Sequence, residues 1–405
     1  MKALGPSRAS LRYGPQQTTG SLRTPQSMTE DGPMQTYYVG LDVHSRESVF
    51  VVENDTGAIV ARGSVPTTVN GLKHLRDSCG LPAATGVALE TGTSAFFVAR
   101  ELARLELKPV VIDAHEVRRK AQRPEQKSDT RDALELCEGL RRGFYRSLVH
   151  VPSPAISDLR TTLSRRRHFI RIQTAEVNAV KRLLRGVGRN SGRRGSLRTD
   201  THWQSLLAGD LVPEQLQEHV RHPYAVWRQA AERVRALGLS LGDNARERRD
   251  AVKRLETVPG VGPIVALTAI AVFAEVSRFE SAKHAASYAG LVPSTFQSGE
   301  RDAHGHITKR GSAELRAMLC EAAHHARRSA HPLHPHFAKV CARRGYKTAV
   351  IAVAHRLCRI LFAMLRDGTD FSVTRVGVEQ GDFERTTTYR YRLRPKPASR
   401  LPATG

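Results

Sequence analysis

A chain of 405 residues is long enough for two or three domains, each with its own core. Its 63 Lys and Arg against 39 Asp and Glu leave a formal net charge of +24, an excess that opposes compaction unless a polyanion neutralises it. Nucleic acid is the natural partner, because no basic amphipathic helix at a terminus offers itself to a membrane surface and no apolar run approaches the about 18 residues needed to span one. The five cysteines are scattered and odd in number, with no CxxC pair, so the pattern indicates neither a zinc site nor a disulfide framework and points to a reducing cytoplasm.

Residues 1–36 lack the apolar core of a signal peptide and read as a disordered extension. Three short β-branched runs follow, Tyr37–Val43, Ser48–Glu53 and Ala58–Val65, separated by polar turns, and predict an antiparallel meander. The rhythm then alternates. A strand is expected over Gly86–Glu90, a helix over Thr93–Leu105, a strand over Pro109–Asp113, and helices over His115–Gln122 and Ser128–Arg142. An antiparallel triplet followed by alternating helix and strand predicts an RNase H-like mixed α/β domain over residues 37–150.

Residues 151–256 carry no strand signal. From Arg141 to Asp200 there are fifteen Lys and Arg but three Asp and Glu. Apolar residues at helical spacing over Ile156–Leu184 predict a long basic helix, half of a coiled-coil hairpin whose return is Ala225–Leu255 after a Gly/Arg-rich break at Gly186–Gly195. Arg165, Arg166, Arg167, Lys181 and Arg182 on that helix are candidate nucleic-acid contacts. Residues 257–370 form a third, mainly α region. It opens on Val258–Pro263 and an apolar helix Ile264–Phe273, and closes on the helix Lys347–Leu365. The tail 371–405 reads as basic and disordered. His324, His325, His331, His334 and His336 sit in a stretch that Pro332 and Pro335 are expected to break into a loop, and without accompanying carboxylates they read as surface or phosphate contacts rather than a zinc site.

Four carboxylates fall where strands and helices should converge. Asp42 lies late in the first strand and Glu90 ends the fourth. Asp129 and Asp132, spaced i,i+3, share one helix face near a start capped by Ser128. Carboxylates gathered together repel one another, and divalent cations remove that penalty. Two Mg²⁺ or Mn²⁺ ions about 4 Å apart would serve phosphoryl transfer. Asp113 is a rival that could replace one of the four, whereas Asp55 and His44 read as turn residues.

A second constellation runs from Ala289 to Ser312. It holds two Gly/Ser-rich turns with Ser294 and Ser298, and with Lys309 and Arg310 placed to contact phosphate. Here the sequence resembles the DEDD transposases of bacterial insertion sequences, whose catalytic domain is like that of the junction resolvase RuvC. The likeness runs from about Tyr38 to Gly368 and is carried by Val39–His44, Leu89–Gly92, Lys127–Ala133, Val258–Gly262, Ala289–Pro293, Gln297–Gly299, Gly305–Gly311 and the closing helix with Ala354–Leu357 and Ala363–Gly368.

The resemblance implies that Asp42, Glu90, Asp129 and Asp132 form the metal site. It implies also that Ser298, with Ser294 as rival, attacks the DNA phosphate to give a phosphoserine intermediate and a free 3′-hydroxyl, the ester permitting rejoining without ATP. It further implies donor and target DNA as partners and a structured guide RNA encoded by the element. Exchange of several strands calls for a dimer or tetramer, and the expected location is cytoplasmic, at the nucleoid, with no membrane. Val258–Gly262 resembles the turn of a helix-hairpin-helix. Two departures stand out: the extra residues before the first strand, and Asp113-Ala-His115 where the family more commonly has Asn-Pro. A RuvC-like structure-selective endonuclease using the four acids alone, or a non-catalytic nucleic-acid-binding relative, are the alternative readings.

Overall fold

The computed structural model describes residues 36–120, 128–190, 197–298 and 301–374, with side chains at 295–298 and 301–304 excepted. The expected disordered ends, up to residue 35 and from residue 375, lie outside the described residues, as does most of the Gly/Arg-rich break. The chain forms two compact units, residues 1–151 and 152–405.

In the first unit, β1 (Tyr37–Val43), β2 (Glu47–Asn54) and β3 (Ile59–Pro66) pair antiparallel, as the polar turns between them predict. Helix α1 (Val69–Ser78) follows, then β4 (Gly86–Glu90), α2 (Ala95–Arg104), β5 (Lys108–Ile112), α3 (Ala114–Lys120) and α4 (Asp129–Arg141). Strands β4 and β5 join parallel, giving a mixed five-stranded sheet of order β3-β2-β1-β4-β5. One face packs on α1 and α2 through Val39, Leu41, Leu72, Leu75, Leu89, Val98 and Leu102. The other lies under α4, with Ala88, Ile112 and Leu136 buried together.

Helix α1 is only faintly marked in the sequence. Its signals are Thr68, whose hydroxyl accepts from the Gly71 amide as a cap, and the pair Leu72 and Leu75 on one face.

Helix α3 is tied down by Glu116. Its buried carboxylate accepts from the Ser147 and Arg146 amides and pairs with Lys120. Burial pushes this carboxyl up, but the Lys120 ammonium and the two amides outweigh it and hold it at about 2. A carboxyl held below its unfolded value adds stability that is complete above pH of about 4.5 and fades as pH falls toward 2. Glu116→Gln is therefore expected to lower the first unit's stability by about 1–3 kcal/mol at neutral pH and to flatten its acid sensitivity over that window. Urea melts at several pH values check this, and a variant that stays as acid-sensitive as the parent would refute it.

In the second unit, α5 (Pro154–Gly186) is a 33-residue helix capped by Ser153. Then come α6 (Asp200–Ala208), α7 (Gln217–Glu247), α8 (Arg249–Glu256), α9 (Pro263–Phe273) and α10 (Ala282–Tyr288). Strands β6 (Pro293–Ser298) and β7 (Arg301–Ile307) precede α11 (Ala313–Ala323), α12 (His334–Arg344) and α13 (Tyr346–Asp367). Helices α5 and α7 lie antiparallel. The C-terminal half of α5 and the N-terminal half of α7 close with α6 around Val180, Leu184, Trp203, Val220 and Trp227. At the other end Leu159, Leu163 and Leu241 enter the main core with α8, α9, α10, α11 and α13. The division read near residue 256 from the sequence falls inside this shared core.

Several expectations need correction. The single return helix breaks at Arg248, where the backbone leaves the helical region, to give α7 and α8. The mainly α region contains the β6–β7 hairpin, whose polar strands lack the apolar alternation that marks a half-buried sheet. Pro335 does not break a helix but begins one: it occupies the first turn of α12, where its missing N–H costs nothing. His331 is a buried structural group. Its Nε2 meets the Pro259 carbonyl at 3.1 Å, its Nδ1 accepts from the Leu333 amide at 3.0 Å, and burial pushes its pKa down.

The Val258–Gly262 turn does join two packed helices, but Gly260 turns inward, with Ala322 and His325 closing over it. Finally, α13 is long and apolar enough by composition to cross a membrane, contrary to the reading of the sequence, yet Leu357, Cys358, Leu361 and Phe362 are fully buried in the core.

Candidate metal centre and the serine hairpin

Asp42 is the penultimate residue of β1, and the alternation of an extended chain carries Tyr38, Gly40 and Asp42 to one face of the sheet. The parallel register pairs Leu41 with Leu89, so Glu90 is the neighbour of Asp42 one step further along, on that same face. Helix α4 covers this face. A Cβ at Gly40 would stand 1.9 Å from the Ala133 carbonyl oxygen, a Cβ at Gly86 would stand 3.2 Å from Leu140, and the Cys137 thiol donates to the Tyr38 carbonyl at 3.1 Å. Leu140 over the start of the strands and Ala133 over their middle mean that α4 runs back along the sheet. Its N-terminus, with Asp129 and Asp132, therefore stands at the end where β1 and β4 deliver Asp42 and Glu90.

Helix α4 is held at both ends. Ser128 caps it by accepting from the Arg131 amide, as its place in the sequence predicts, and Arg141 at the far end pairs with the buried Glu53 carboxylate at 2.8 Å. Burial pushes the Cys137 thiol up to about 12, so it serves in packing rather than as a thiolate. Asp113, the rival acid, has a local structural role. Its carboxylate accepts from the His115 and Glu116 amides and so caps α3, while Asp55 accepts from the Thr56 amide in its turn.

The backbone of His44 lies in a turn, as its composition predicts: its amide donates to the Glu47 carbonyl at 3.2 Å. Its ring, however, faces the acids. Nε2 lies 3.2 Å from Asp42 Oδ2 and 3.4 Å from Asp129 Oδ2. The signal available in the sequence was its i+2 spacing from Asp42, which extends strand alternation one step beyond β1. Among the described residues, Asp42, His44 and Asp129 are the metal-ligating side chains whose donor atoms gather within 4.8 Å of one another. Two carboxylates from separate elements and an imidazole, with Glu90 on the adjoining strand, are a donor set that fits a divalent cation.

The second unit carries the serines on the β6–β7 hairpin, with Ser298 and Arg301 as its last register pair. Ser294 lies further down and donates its hydroxyl to the His306 carbonyl at 3.0 Å. The base of the hairpin is clamped: the Thr308 amide donates to Val292, the Lys309 amide to Gly290, and the Arg316 guanidinium to the Ala289 carbonyl. Gly290 and Gly311 both take positive φ there, and a Cβ at Gly311 would stand 1.8 Å from the Tyr288 carbonyl oxygen. Lys309 and Arg310, just after the hairpin, are exposed.

On α5, Arg165 and Arg182 are exposed, whereas Arg166, Arg167 and Lys181 are half-buried. Arg167 donates to the Ala313 carbonyl. Together with Arg166 and Arg171 it draws down the Glu314 carboxyl, which burial raises overall.

Geometry thus defines a candidate divalent-cation centre on a mixed α/β unit, joined in sequence to a basic helical unit with a clamped, serine-bearing hairpin. Residues 39–188 match the family model for the DEDD transposase of the IS110 type, and residues 252–339 match the model described as "Transposase IS116/IS110/IS902 family"; together these span more than half of the chain. The chain belongs to the DEDD-type transposases of insertion sequences.

Among curated relatives, a "probable family 20 transposase" of Pseudomonas aeruginosa is 28% identical over 289 residues, covering 69% of this chain and 83% of the relative. The transposase for insertion sequence element IS1111A of Coxiella burnetii is 25% identical, covering 59% of this chain and 66% of the relative. A pilin gene-inverting protein of Moraxella lacunata is 34% identical over 120 residues, covering 29% of this chain and 37% of the relative.

Proposed function

We propose that this protein is the transposase of an insertion sequence, cleaving and rejoining DNA with Asp42, Glu90, Asp129 and Asp132 as its metal-binding acids and Ser298 as its nucleophile. The observation that supports the reading is the register of β1 and β4 under α4, with donor atoms of Asp42 and Asp129 within 4.8 Å of one another beside His44, Glu90 on the adjoining strand and Asp132 one turn further along α4. The strand order, two antiparallel pairings followed by two parallel ones, supports an RNase H or RuvC-like fold for this domain. When bound, Mg²⁺ or Mn²⁺ supplies Lewis-acid stabilisation of charge on the reacting phosphate. The four acids hold the cations, and no side-chain base is needed at the attacking oxygen.

The serine chemistry balances without an external energy source. Ser298 Oγ forms a bond to phosphorus and gives up its proton. The bond from phosphorus to the 3′-oxygen breaks, and that oxygen takes a proton to leave as a 3′-hydroxyl. Attack on the phosphoserine by the 3′-hydroxyl of another strand reverses these bond changes and releases the serine. Ser294 suits the role less well because its hydroxyl is engaged across the hairpin. The gene-inverting relative supports rejoining rather than cleavage alone.

Exposed Arg165, Arg182, Lys309 and Arg310, with the half-buried Arg166, Arg167 and Lys181, are the proposed contacts to nucleic acid in a chain of net charge +24. We place the enzyme on donor and target DNA in the cytoplasm, at the nucleoid, as a dimer or tetramer. A guide RNA would supply the sequence specificity.

A suicide DNA substrate run on denaturing gels tests the nucleophile. Wild type and Ser294→Ala are expected to form a protein–DNA adduct that maps by mass spectrometry to residue 298, and Ser298→Ala to form none. Cleavage by Ser298→Ala at the wild-type rate, without any adduct in the parent, would establish a plain nuclease instead.

A further inference from the structure

We propose that His44 is itself a ligand of the bound cation, so that the centre is a mixed nitrogen–oxygen site which prefers Mn²⁺ to Mg²⁺. The inference rests on the carboxylate centre proposed above and adds to it a residue and a metal preference.

The placement of His44 is built, not incidental. Its amide is held by the Glu47 carbonyl at 3.2 Å, and its own carbonyl accepts from the Thr67 hydroxyl at 2.9 Å. Thr67 is in turn hydrogen-bonded to the Ser48 hydroxyl, a buried group on β2. The turn is thus fixed to the ends of both β2 and β3. From that position the ring reaches across to acids on two different elements, Asp42 of β1 and Asp129 of α4, at 3.2 and 3.4 Å. One ring nitrogen aimed between two carboxylate oxygens is the approach a third ligand makes to an ion those oxygens share. With the proton on Nδ1, the lone pair of Nε2 points into that position.

A site of oxygen donors alone favours hard cations such as Mg²⁺ and Ca²⁺. Replacing one oxygen by an imidazole nitrogen shifts preference toward first-row transition metals, of which Mn²⁺ also tolerates the carboxylates. Mg²⁺, which keeps its waters and demands near-ideal octahedral oxygen geometry, gains least from the nitrogen.

The test is electron spin-echo spectroscopy on the full-length protein loaded with Mn²⁺, alongside Mn²⁺ and Mg²⁺ competition titrations. Wild type is expected to show the nitrogen modulation of a directly bound imidazole. His44→Ala should lose it, bind Mn²⁺ roughly 10-fold or more weakly, and lose most of its preference over Mg²⁺. His44→Asp, which restores an oxygen donor, should recover Mg²⁺ affinity without the nitrogen signal. Bound Mn²⁺ that shows no nitrogen modulation in wild type, or keeps it in His44→Ala, overturns the role of His44 while leaving the acids in place. Mn²⁺ affinity indifferent to Asp42→Asn overturns the carboxylate centre, and the inference with it.

Discussion

Asp42→Asn is expected to leave the first unit folded while removing cation binding and depressing strand exchange by roughly 10³-fold or more, the size of several kcal/mol of lost transition-state charge stabilisation. The substitution is nearly isosteric. The backbone of Asp42 pairs with Val49, and its side chain belongs to the acid face rather than to the cluster of Val39 and Leu41. What changes is one charge and one hard oxygen ligand, in a place where Asp129 and His44 share the same space.

Stability read against metal concentration separates the effects. Wild type should gain about 2.7 kcal/mol at a metal concentration 100 times its dissociation constant, by mass action on the folded state. The variant should gain almost nothing and should match wild type in chelator. A variant that still gains stability from Mn²⁺ as the parent does would place the cation elsewhere.

Much of this centre was legible because strands announce themselves by β-branched runs. Val39–Val43 carries Asp42 one residue before its end, Val87–Glu90 ends on Glu90, and Ser128 before Asp129 marks a helix start. What the sequence hid was local or relational. His44 belongs to a turn by composition, and only the continued alternation from Asp42 reveals where its ring goes. Helix α6 is hard to see in the sequence because its buried face is Trp203 and Leu206, whose partners Val180 and Trp227 lie more than twenty residues away. The β6–β7 hairpin carries polar strands with no alternation to detect, so the sequence suggests a loop where Ser298 in fact ends a strand. Pro335 misled because proline breaks helices in their middles and starts them at their first turn.

Gly40 was legible as part of a motif, but its physical reason appears only with α4 in place, and from that reason follows the largest stability effect expected. A methyl at this position would stand 1.9 Å from the Ala133 carbonyl oxygen and 2.5 Å from the Cys137 amide nitrogen, both backbone atoms that no rotamer change can move aside. Helix α4 would have to lift by more than 1 Å to restore van der Waals separation. It cannot pivot freely, since the Arg141–Glu53 pair and the Leu136 and Ala133 packing hold it down along its length. Overpacking of a well-filled core costs about 1–3 kcal/mol and more where backbone must move, and this site is of the second kind.

We expect Gly40→Ala to lower the first unit's stability by at least about 3 kcal/mol, a large share of the 5–15 kcal/mol that holds a typical domain. Hydrogen exchange should rise together in peptides covering β1 and α4, and Mn²⁺ affinity should fall with it, because the helix that lifts is the one carrying Asp129 and Asp132. Gly92→Ala is the control. It lies two residues past Glu90, has nothing within 4 Å of its would-be Cβ, and should change stability by less than about 0.5 kcal/mol. Equal stability of the two variants would mean that α4 does not rest on β1 as closely as the geometry requires, and the acids of the helix would then have no fixed place beside those of the sheet.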